Sequence, residues 1–307
     1  MSASSVSATR IRFWGVRGSV PVPGPGTVRY GGNTACIEIR ADDELIILDA
    51  GSGIRELGLA LHKEFEPKPI EVSLLITHPH WDHIQGFPFF LPAYDDKNRI
   101  RIFGYNGANS GLREILIGQM ATPFFPLALY DLPANIEFEN VDKMDFKIGR
   151  VRIVARRVNH PGVCLGYRVF TSTGSVAYLP DHEPYESLTM HSAEPSGVSA
   201  EQMNERALAE RSALMEFLRD ADVLIVDSQY TDEEYRSHVG WGHGSIGTAI
   251  SQAKDAHVRK LVLFHHDPRH DDAMIDRMVE SAQALASEGA DGLIVEAARE
   301  GAEITLH

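Results

Sequence analysis

Cysteine is scarce in this sequence, and long apolar runs are missing. The 307 residues include two cysteines, Cys36 and Cys164, which lie far apart and match no C-x-x-C spacing. We expect both to be reduced thiols in or near the core. No run approaches the ~18 apolar residues that span a bilayer, and the opening residues carry no apolar signal-peptide region. These absences argue against a disulfide-stapled fold and favour a cytoplasmic protein that does not enter membranes.

Basic residues are also few relative to acidic ones. Lysine and arginine number 29 against 43 aspartates and glutamates, which gives a formal net charge of −14. This balance disfavours sequence-independent binding to extended nucleic acid or to an anionic membrane surface. A small phosphate-bearing substrate stays compatible with it, because a bound metal reverses the local field.

The hydrophobic pattern predicts strands early in the chain and alternating strands and helices later. This order is typical of a layered α/β domain with sheets inside and helices outside. We expect a flexible N-terminus over 1–9, followed by a single domain over 10–307 with a helical insertion over 184–220. The charged helical segment 199–220 is interpreted as a solvated face or as part of a contact in a homodimer.

Histidine is the residue type that this sequence concentrates. Of its 14 histidines, three lie with one aspartate in the pattern His78-x-His80-x-Asp82-His83, directly after the predicted strand 71–77. Functional groups commonly lie on loops at strand ends. With His78 and His80 on one side and Asp82 and His83 facing a neighbouring point, this loop offers two ligands to each of two metals. Two-metal hydrolases hold their ions about 3.5–4 Å apart.

Further candidate ligands follow other predicted strands. His160, Asp181 and His265 each lie just past a strand, so all could gather at one rim of the sheets, and His266 is the rival of His265. Imidazole and carboxylate ligands suit Zn²⁺, Mn²⁺ or iron, and only a carboxylate such as Asp181 bridges two ions readily.

With these residues in this order, the chain resembles the metallo-β-lactamase-fold metallohydrolases over nearly its whole length. The resemblance implies an α/β fold, a four-layer αββα sandwich of two mixed β-sheets flanked by helices. It implies two divalent metal ions, zinc in the first place with manganese or iron as alternatives, and it makes Asp49 in "LDAGSG" a brace for the metal loop. One ion would be held by His78, His80 and His160 and the other by Asp82, His83 and His265, with Asp181 bridging.

Within that superfamily, the tail "GHGSIGTAISQAKDAHVRKLVLFHHDPRH" resembles the phosphodiesterase and RNase Z-like branch. His243 matches a motif histidine at the start of a helix, and His265 matches the last ligand. The resemblance implies a dinuclear phosphodiesterase that acts on a small phosphodiester such as a cyclic nucleotide, by attack of a hydroxide held between the metals. Asp82 and His243 would be its catalytic residues, with His243 stabilising developing charge or protonating the leaving oxygen.

The sequence also departs from these relatives. Gly244 separates His243 from Ser245, the pattern "HHDPRH" differs from that of the ribonucleases, and no Gly- and basic-rich arm for tRNA is evident. Two cysteines cannot supply the cysteine-bound zinc of some phosphonate-pathway relatives. The alternatives are hydrolysis of another bond (RNA 3′-end processing, a lactone, a thioester or a β-lactam) or a di-iron oxygen or redox sensor. The sensors usually place a glutamate where His80 stands and fuse a flavin domain.

Overall fold

The structure is a computed structural model that describes residues 8–105, 111–190, 199–288 and 292–307. Residues 1–7, on which most of the predicted flexible N-terminus falls, lie outside the described residues, and the first strand begins at Thr9. Fourteen strands in the described ranges form two seven-stranded sheets. By their contacts, the described residues divide into two compact units. Unit 1 is drawn from 1–155, 169–174 and 298–307, and unit 2 from 156–168 and 175–297.

The first sheet has the strand order β14-β1-β2-β3-β4-β5-β6. Its strands are β1 Thr9–Gly15, β2 Cys36–Ala41, β3 Glu44–Leu48, β4 Glu71–Leu75, β5 Arg99–Gly104, β6 Asn135–Asn140 and β14 Glu303–Leu306. The pairs from β14 to β3 are antiparallel and those from β3 to β6 are parallel. Along β1 fully buried residues alternate with more exposed ones, as expected for an antiparallel strand buried on one face.

The second sheet has the order β13-β12-β11-β10-β9-β8-β7. Its strands are β7 Asp145–Ile148, β8 Val151–Arg157, β9 Leu165–Thr171, β10 Gly174–Leu179, β11 Val223–Asp227, β12 Lys260–Phe264 and β13 Ile294–Ala297. Strands β10 to β13 pair in parallel. All five residues of β11 are buried, which matches the continuous apolar pattern of a parallel strand covered on both faces.

Helices connect these strands. They are α1 Ile54–Phe65, α2 Trp81–Ile84, α3 Leu112–Gln119, α4 Ser187–Met190, α5 Ala200–Leu218, α6 Asp232–Tyr235, α7 Ile246–Asp255 and α8 Asp272–Ser287. The prediction of two mixed β-sheets with helices is confirmed. The predicted insertion over 184–220 contains α4 and α5, with 191–198 outside the described residues, and it stays a prediction together with the single domain.

Each unit has its own apolar core. In unit 1, Ile54, Leu57 and Leu61 of α1 are fully buried in a cluster that includes Ile47 and Leu74 of the sheet. Their spacing of three and four residues gives α1 one apolar face, which is why this segment folds as a helix against the sheet.

The core of unit 2 lies around its parallel strands. Leu224 and Leu261 of the strands are buried in one cluster with Ile250 and Ala253 of α7 and Met278 of α8. None of the described helices is both long enough and apolar enough to pass through a bilayer.

Candidate active site

The histidine-rich loop of unit 1 leaves the end of β4 and is held by Asp49, at the end of the neighbouring parallel strand β3. Leu48 pairs with Leu75, so the residues that follow both strands lie at the same sheet edge. Asp49 Oδ1 accepts a hydrogen bond from the Thr77 backbone N at 2.8 Å, and the Thr77 hydroxyl donates to the same carboxylate at 2.9–3.0 Å. Since that hydroxyl proton is used, Thr77 Oγ1 accepts from His78 Nδ1 at 3.1 Å. This arrangement leaves His78 Nε2 as the unprotonated nitrogen, which is the one able to bind a metal ion.

Asp49 also orients His83. Its Oδ2 lies 2.9 Å from His83 Nδ1, and both side chains have no solvent exposure. His83 Nε2 lies 3.3 Å from Asp82 Oδ2, and the Ser19 backbone N donates to that same oxygen at 2.7 Å. The ring centroids of His80 and His83 lie 4.4 and 4.3 Å from that of His78. All four members of the motif are therefore close together in unit 1, and Asp49 braces the loop as the resemblance implied.

In unit 2, two predicted ligands lie at the carboxyl ends of the two parallel strands that flank β11. Asp181 follows β10 and His265 follows β12, with β11 between them. Asp181 Oδ1 lies 3.2 Å from His265 Nε2, and Asp181 Oδ2 lies 3.6 Å from His160 Nε2. All three side chains are buried. The parallel register therefore brings together residues that are far apart in sequence.

His160 is oriented by the loop that precedes His243. Its Nδ1 lies 2.9 Å from the Gly242 carbonyl oxygen. Glu183 holds this loop, because its carboxylate accepts hydrogen bonds from the backbone N of Gly240 at 2.6 Å and of Gly242 at 3.1 Å, and from the Tyr235 hydroxyl at 2.9 Å. Glu183 thus positions one ligand candidate through the backbone of another segment.

Gly242 leaves no room for a side chain, and this gives a first prediction. A Cβ there would lie 2.3 Å from Pro161 Cδ and 2.4 Å from His160 Nδ1, at a φ of +87°. We expect Gly242→Ala to displace the His160 ring and to destabilise the protein by about 1–3 kcal/mol, in addition to the cost of a left-handed backbone. Gly162→Ala is the matched control, since Gly162 has a φ of +84° and no atom within 4 Å of its Cβ position. Chemical denaturation should give a larger loss for Gly242→Ala; equal losses would show that only the backbone conformation matters.

His243 pairs with a carboxylate that the sequence did not single out. Its Nδ1 lies 2.8 Å from Asp227 Oδ2. Asp227 ends β11 and is buried, and its Oδ1 accepts the Gln229 backbone N at 2.9 Å. His243 Nδ1 also lies 4.0 Å from Asp181 Oδ2, and its ring stacks on that of His265 with centroids 5.0 Å apart. His243 is 12% exposed, more than the buried ligand candidates of its unit.

His265 is oriented by Gln229, a second residue that the sequence did not single out. Its Nδ1 lies 2.9 Å from Gln229 Oε1. His265 has a φ of +62°, a left-handed conformation that is uncommon for a residue with a side chain. Strain of this kind clusters at functional sites. His266 is buried as well, but the carboxylate contact described above belongs to His265.

The neighbouring His182 differs from this set in its charge and its hydrogen-bond partner. Desolvation in the core, with the charge of Arg156 as a smaller cause, lowers the pKa of His182 to about 3. The ring is therefore neutral at pH 7, and its Nε2 lies 3.1 Å from Gln252 Nε2. His182 follows Asp181 in the chain and is a neutral group in contact with Gln252 and Tyr185. Desolvation likewise raises the pKa of the Tyr230 hydroxyl, so it stays protonated.

Imidazole rings in each unit have surroundings that suit a metal ligand. His83, His160 and His265 each point Nδ1 at an oxygen acceptor 2.9 Å away and Nε2 at a carboxylate 3.2–3.6 Å away. A neutral imidazole carries one N–H, so a ring with both nitrogens facing acceptors needs a second proton or a cation. Nitrogen from histidine and oxygen from aspartate are the ordinary ligands of Zn²⁺ and related ions. The residues present in each unit therefore fit a role as metal ligands.

Sequence reasoning missed the residues that orient these side chains, namely Thr77, Asp227 and Gln229. Asp227 had a usable signal. It ends the wholly buried strand β11, and the strands before and after it in the chain, β10 and β12, end next to predicted ligands. Thr77 and Gln229 have no such signal, because uncharged polar residues after strands are common.

The family follows from comparison with known proteins. A profile of the family described as "Beta-lactamase superfamily domain" matches residues 45–199, which is half of the chain. The chain belongs to the metallo-β-lactamase superfamily. It is similar to the ribonuclease Z of Thermoplasma acidophilum, with 26% identity over 295 aligned residues that cover 88% of this chain and 90% of that protein.

Solved structures share the fold. The metallo-β-lactamase-fold protein YhfI from Bacillus subtilis superposes with a TM-score of 0.67 at 15% identity and covers 97% of this chain and 99% of its own. Unliganded yeast PDE1 gives a TM-score of 0.64 at 16% identity, with the same two coverages. The predicted superfamily is confirmed, and its RNase Z-like branch is confirmed at the level of distant homologues. The chain is a metal-dependent hydrolase with histidine and aspartate metal ligands.

Proposed function

We propose that this enzyme hydrolyses small phosphodiesters, of the cyclic-nucleotide class, with two divalent metal ions held by the predicted histidines and aspartates. The proposed ligands are those that the sequence predicted: His78, His80, Asp82, His83, His160, Asp181 and His265. We propose zinc as the metal, because imidazole predominates over carboxylate among these ligands. When bound, two such ions supply an activated water at neutral pH and positive charge against the phosphoryl oxygens.

The observation that carries the proposal is the pairing of His243 with Asp227, beside Asp181. Asp227 accepts from His243 Nδ1 at 2.8 Å, which leaves Nε2 to serve the substrate. Asp227 keeps this ring in one orientation, with Nδ1 facing the carboxylate. A histidine that is next to the ligand Asp181, but is held by a different carboxylate, can donate a proton to a leaving oxygen or stabilise charge on phosphorus-bound oxygen.

Asp82 is the second residue that we propose as catalytic. Ser19 N holds its Oδ2 at 2.7 Å and His83 Nε2 lies 3.3 Å from the same oxygen. A carboxylate fixed in this way can orient a water molecule and accept its proton.

Charge and relatives support a phosphate ester and a small substrate. The relatives include ribonuclease Z, whose name denotes cleavage of phosphodiester bonds, and yeast PDE1. The net charge of −14 opposes long nucleic acids. RNA 3′-end processing stays the second candidate, because curated homologues at 22–26% identity are ribonucleases Z.

A substrate panel tests the proposal. Zinc- and manganese-loaded protein should cleave bis(p-nitrophenyl) phosphate and at least one cyclic nucleotide, while a lactone and nitrocefin stay intact. A precursor tRNA with a 3′ trailer serves as the probe for the second candidate. Cleavage of the lactone or nitrocefin without cleavage of any phosphodiester would refute the proposal. Cleavage of the precursor tRNA without cyclic-nucleotide turnover would replace it by the second candidate.

A further inference from the structure

The segment after β12 places a buried carboxylate behind the His265 ligand. Asp267 is 3% exposed. It accepts hydrogen bonds at Oδ1 from the backbone N of Arg269 at 2.8 Å and from its Nε at 3.0 Å, and at Oδ2 from its Nη2 at 3.2 Å. A guanidinium group only donates, so this contact keeps Asp267 as a charged acceptor.

Gln229 stands between that carboxylate and His265. It is buried, and its Nε2 donates to Asp267 Oδ2 at 3.3 Å and to the Tyr230 hydroxyl at 3.1 Å. Its Oε1 lies 2.9 Å from His265 Nδ1. The end of an amide that faces a carboxylate has to be its NH₂ group, because two oxygens would repel each other. The carbonyl end therefore faces His265.

We propose that Asp267, acting through the side-chain amide of Gln229, holds the proton of His265 on Nδ1 and thereby keeps Nε2 as the metal ligand. The two are positioning residues. Their action resembles that of Asp49 on His83, with one amide interposed between carboxylate and ring. The inference rests on the proposed function in so far as His265 binds the metal, and it gives a role to the "HHDPR" sequence after the ligand.

The hydrogen-bonded series Asp267–Gln229–His265, here called the relay, matters because His265 could also carry its proton on Nε2. Its Nε2 lies 3.2 Å from Asp181 Oδ1, so a proton on Nε2 would make a hydrogen bond that stabilises the metal-free protein. That arrangement needs Gln229 to turn its NH₂ group toward Nδ1. Asp267 prevents this rotation of the amide, because the Gln229 oxygen would then face the Asp267 carboxylate and repel it. The relay disfavours the metal-free alternative and so strengthens metal binding.

Asp267→Asn tests the relay with little change of shape. An asparagine accepts or donates, so Gln229 is released and both ring tautomers become available. We expect zinc affinity to fall by about 10–100-fold, which is the usual effect of losing a hydrogen-bond partner of a metal ligand. Competition with a chromophoric chelator measures this affinity. In ¹⁵N-histidine NMR spectra of the metal-free protein, Nδ1 of His265 should carry the proton in the wild type and lose it in part in the variant.

The double variant Gln229→Glu with Asp267→Asn should restore binding. There a carboxylate accepts directly from His265 Nδ1, and the amide introduced by Asp267→Asn donates to that carboxylate, so zinc affinity should return to the wild-type value or exceed it. Gln229→Glu alone sets two carboxylates against each other and should not bind as tightly. A residue that only fills space would not give this pattern of loss and rescue.

Asp222→Asn is the matched control, because Asp222 also accepts from a backbone N and from an arginine, those of Ser175 and Arg259, both at 2.8–2.9 Å. It should leave zinc affinity unchanged, and melting curves of the metal-free proteins check that every variant folds. Wild-type affinity and an unchanged Nδ1 proton in Asp267→Asn would overturn the relay, as would a double variant as weak as the single one. Wild-type protein that binds zinc without cleaving any phosphodiester would refute the proposed function alone.

Discussion

Replacing His243 by alanine is expected to lower kcat for a phosphodiester with an alkoxide leaving group by about 10²–10⁴-fold. The reason is its place in unit 2. Nδ1 is bound to Asp227 at 2.8 Å, and the ring lies next to Asp181 without being one of the proposed ligands. The variant should retain its metal. Measured on the same preparation, kcat should therefore fall while the metal content stays at the wild-type value.

The choice of substrate divides the two roles open to His243. p-Nitrophenolate leaves without a proton, so a general acid would matter much less for bis(p-nitrophenyl) phosphate than for a cyclic nucleotide. A residue that stabilises charge on the phosphoryl oxygens would lower both rates by a similar factor. His238→Ala is the matched control, since His238 lies in the same loop with its Nδ1 held by the Glu234 carbonyl oxygen at 2.7 Å. Loss of metal from His243→Ala would instead make His243 a ligand and contradict the proposed role.

The strands that carry the site could be predicted because they are nearly continuous apolar runs with polar residues at one end. β11 and β12 are buried along almost their whole length, and the predicted ligand His265 follows β12 directly. In the loop after β4, spacing alone brings four candidate ligands into a few residues. These features are local, so a single sequence contains them.

Features that depend on tertiary contacts could not be predicted in the same way. β6 has the sequence "NIEFEN" and is partly exposed throughout. Its parallel pairing with β5 makes it a strand more than its propensity does. The helix α2 has four residues and begins within the metal-loop motif, where histidines and aspartate carry no helical signal. Gln229 acts on His265 from 36 positions away in sequence, and only the folded register reveals that pair.

Replacing Asp181 by asparagine should have the largest effect on metal binding. Its two oxygens face His265 at 3.2 Å and His160 at 3.6 Å, with His243 at 4.0 Å. Asparagine keeps the shape and removes the charge that Asp181 would offer to the proposed metal ions. We expect metal content to fall from two ions per chain to less than one. Loss of a residue that only hydrogen-bonds to a metal ligand lowers metal affinity by about 10–100-fold. Loss of a ligand itself should therefore lower it by more than about 100-fold. Metal analysis and phosphodiester turnover measure both effects.

Stability should change in opposite directions with and without metal. In the metal-free protein, Asp181 is a buried carboxyl group whose neighbours are imidazoles, and an ionised carboxylate is costly to bury without a bound cation. Asp181→Asn should therefore melt at the same or a higher temperature than wild type when both are metal-free. Added zinc should raise the melting temperature of the wild type, since binding to the native state alone stabilises it, and should barely affect the variant. A variant that keeps two ions and the full zinc-dependent stabilisation would show that Asp181 is not a ligand. If the variant is the more stable protein without metal and the less stable one with zinc, this carboxylate is retained for metal binding at the expense of the stability of the metal-free fold.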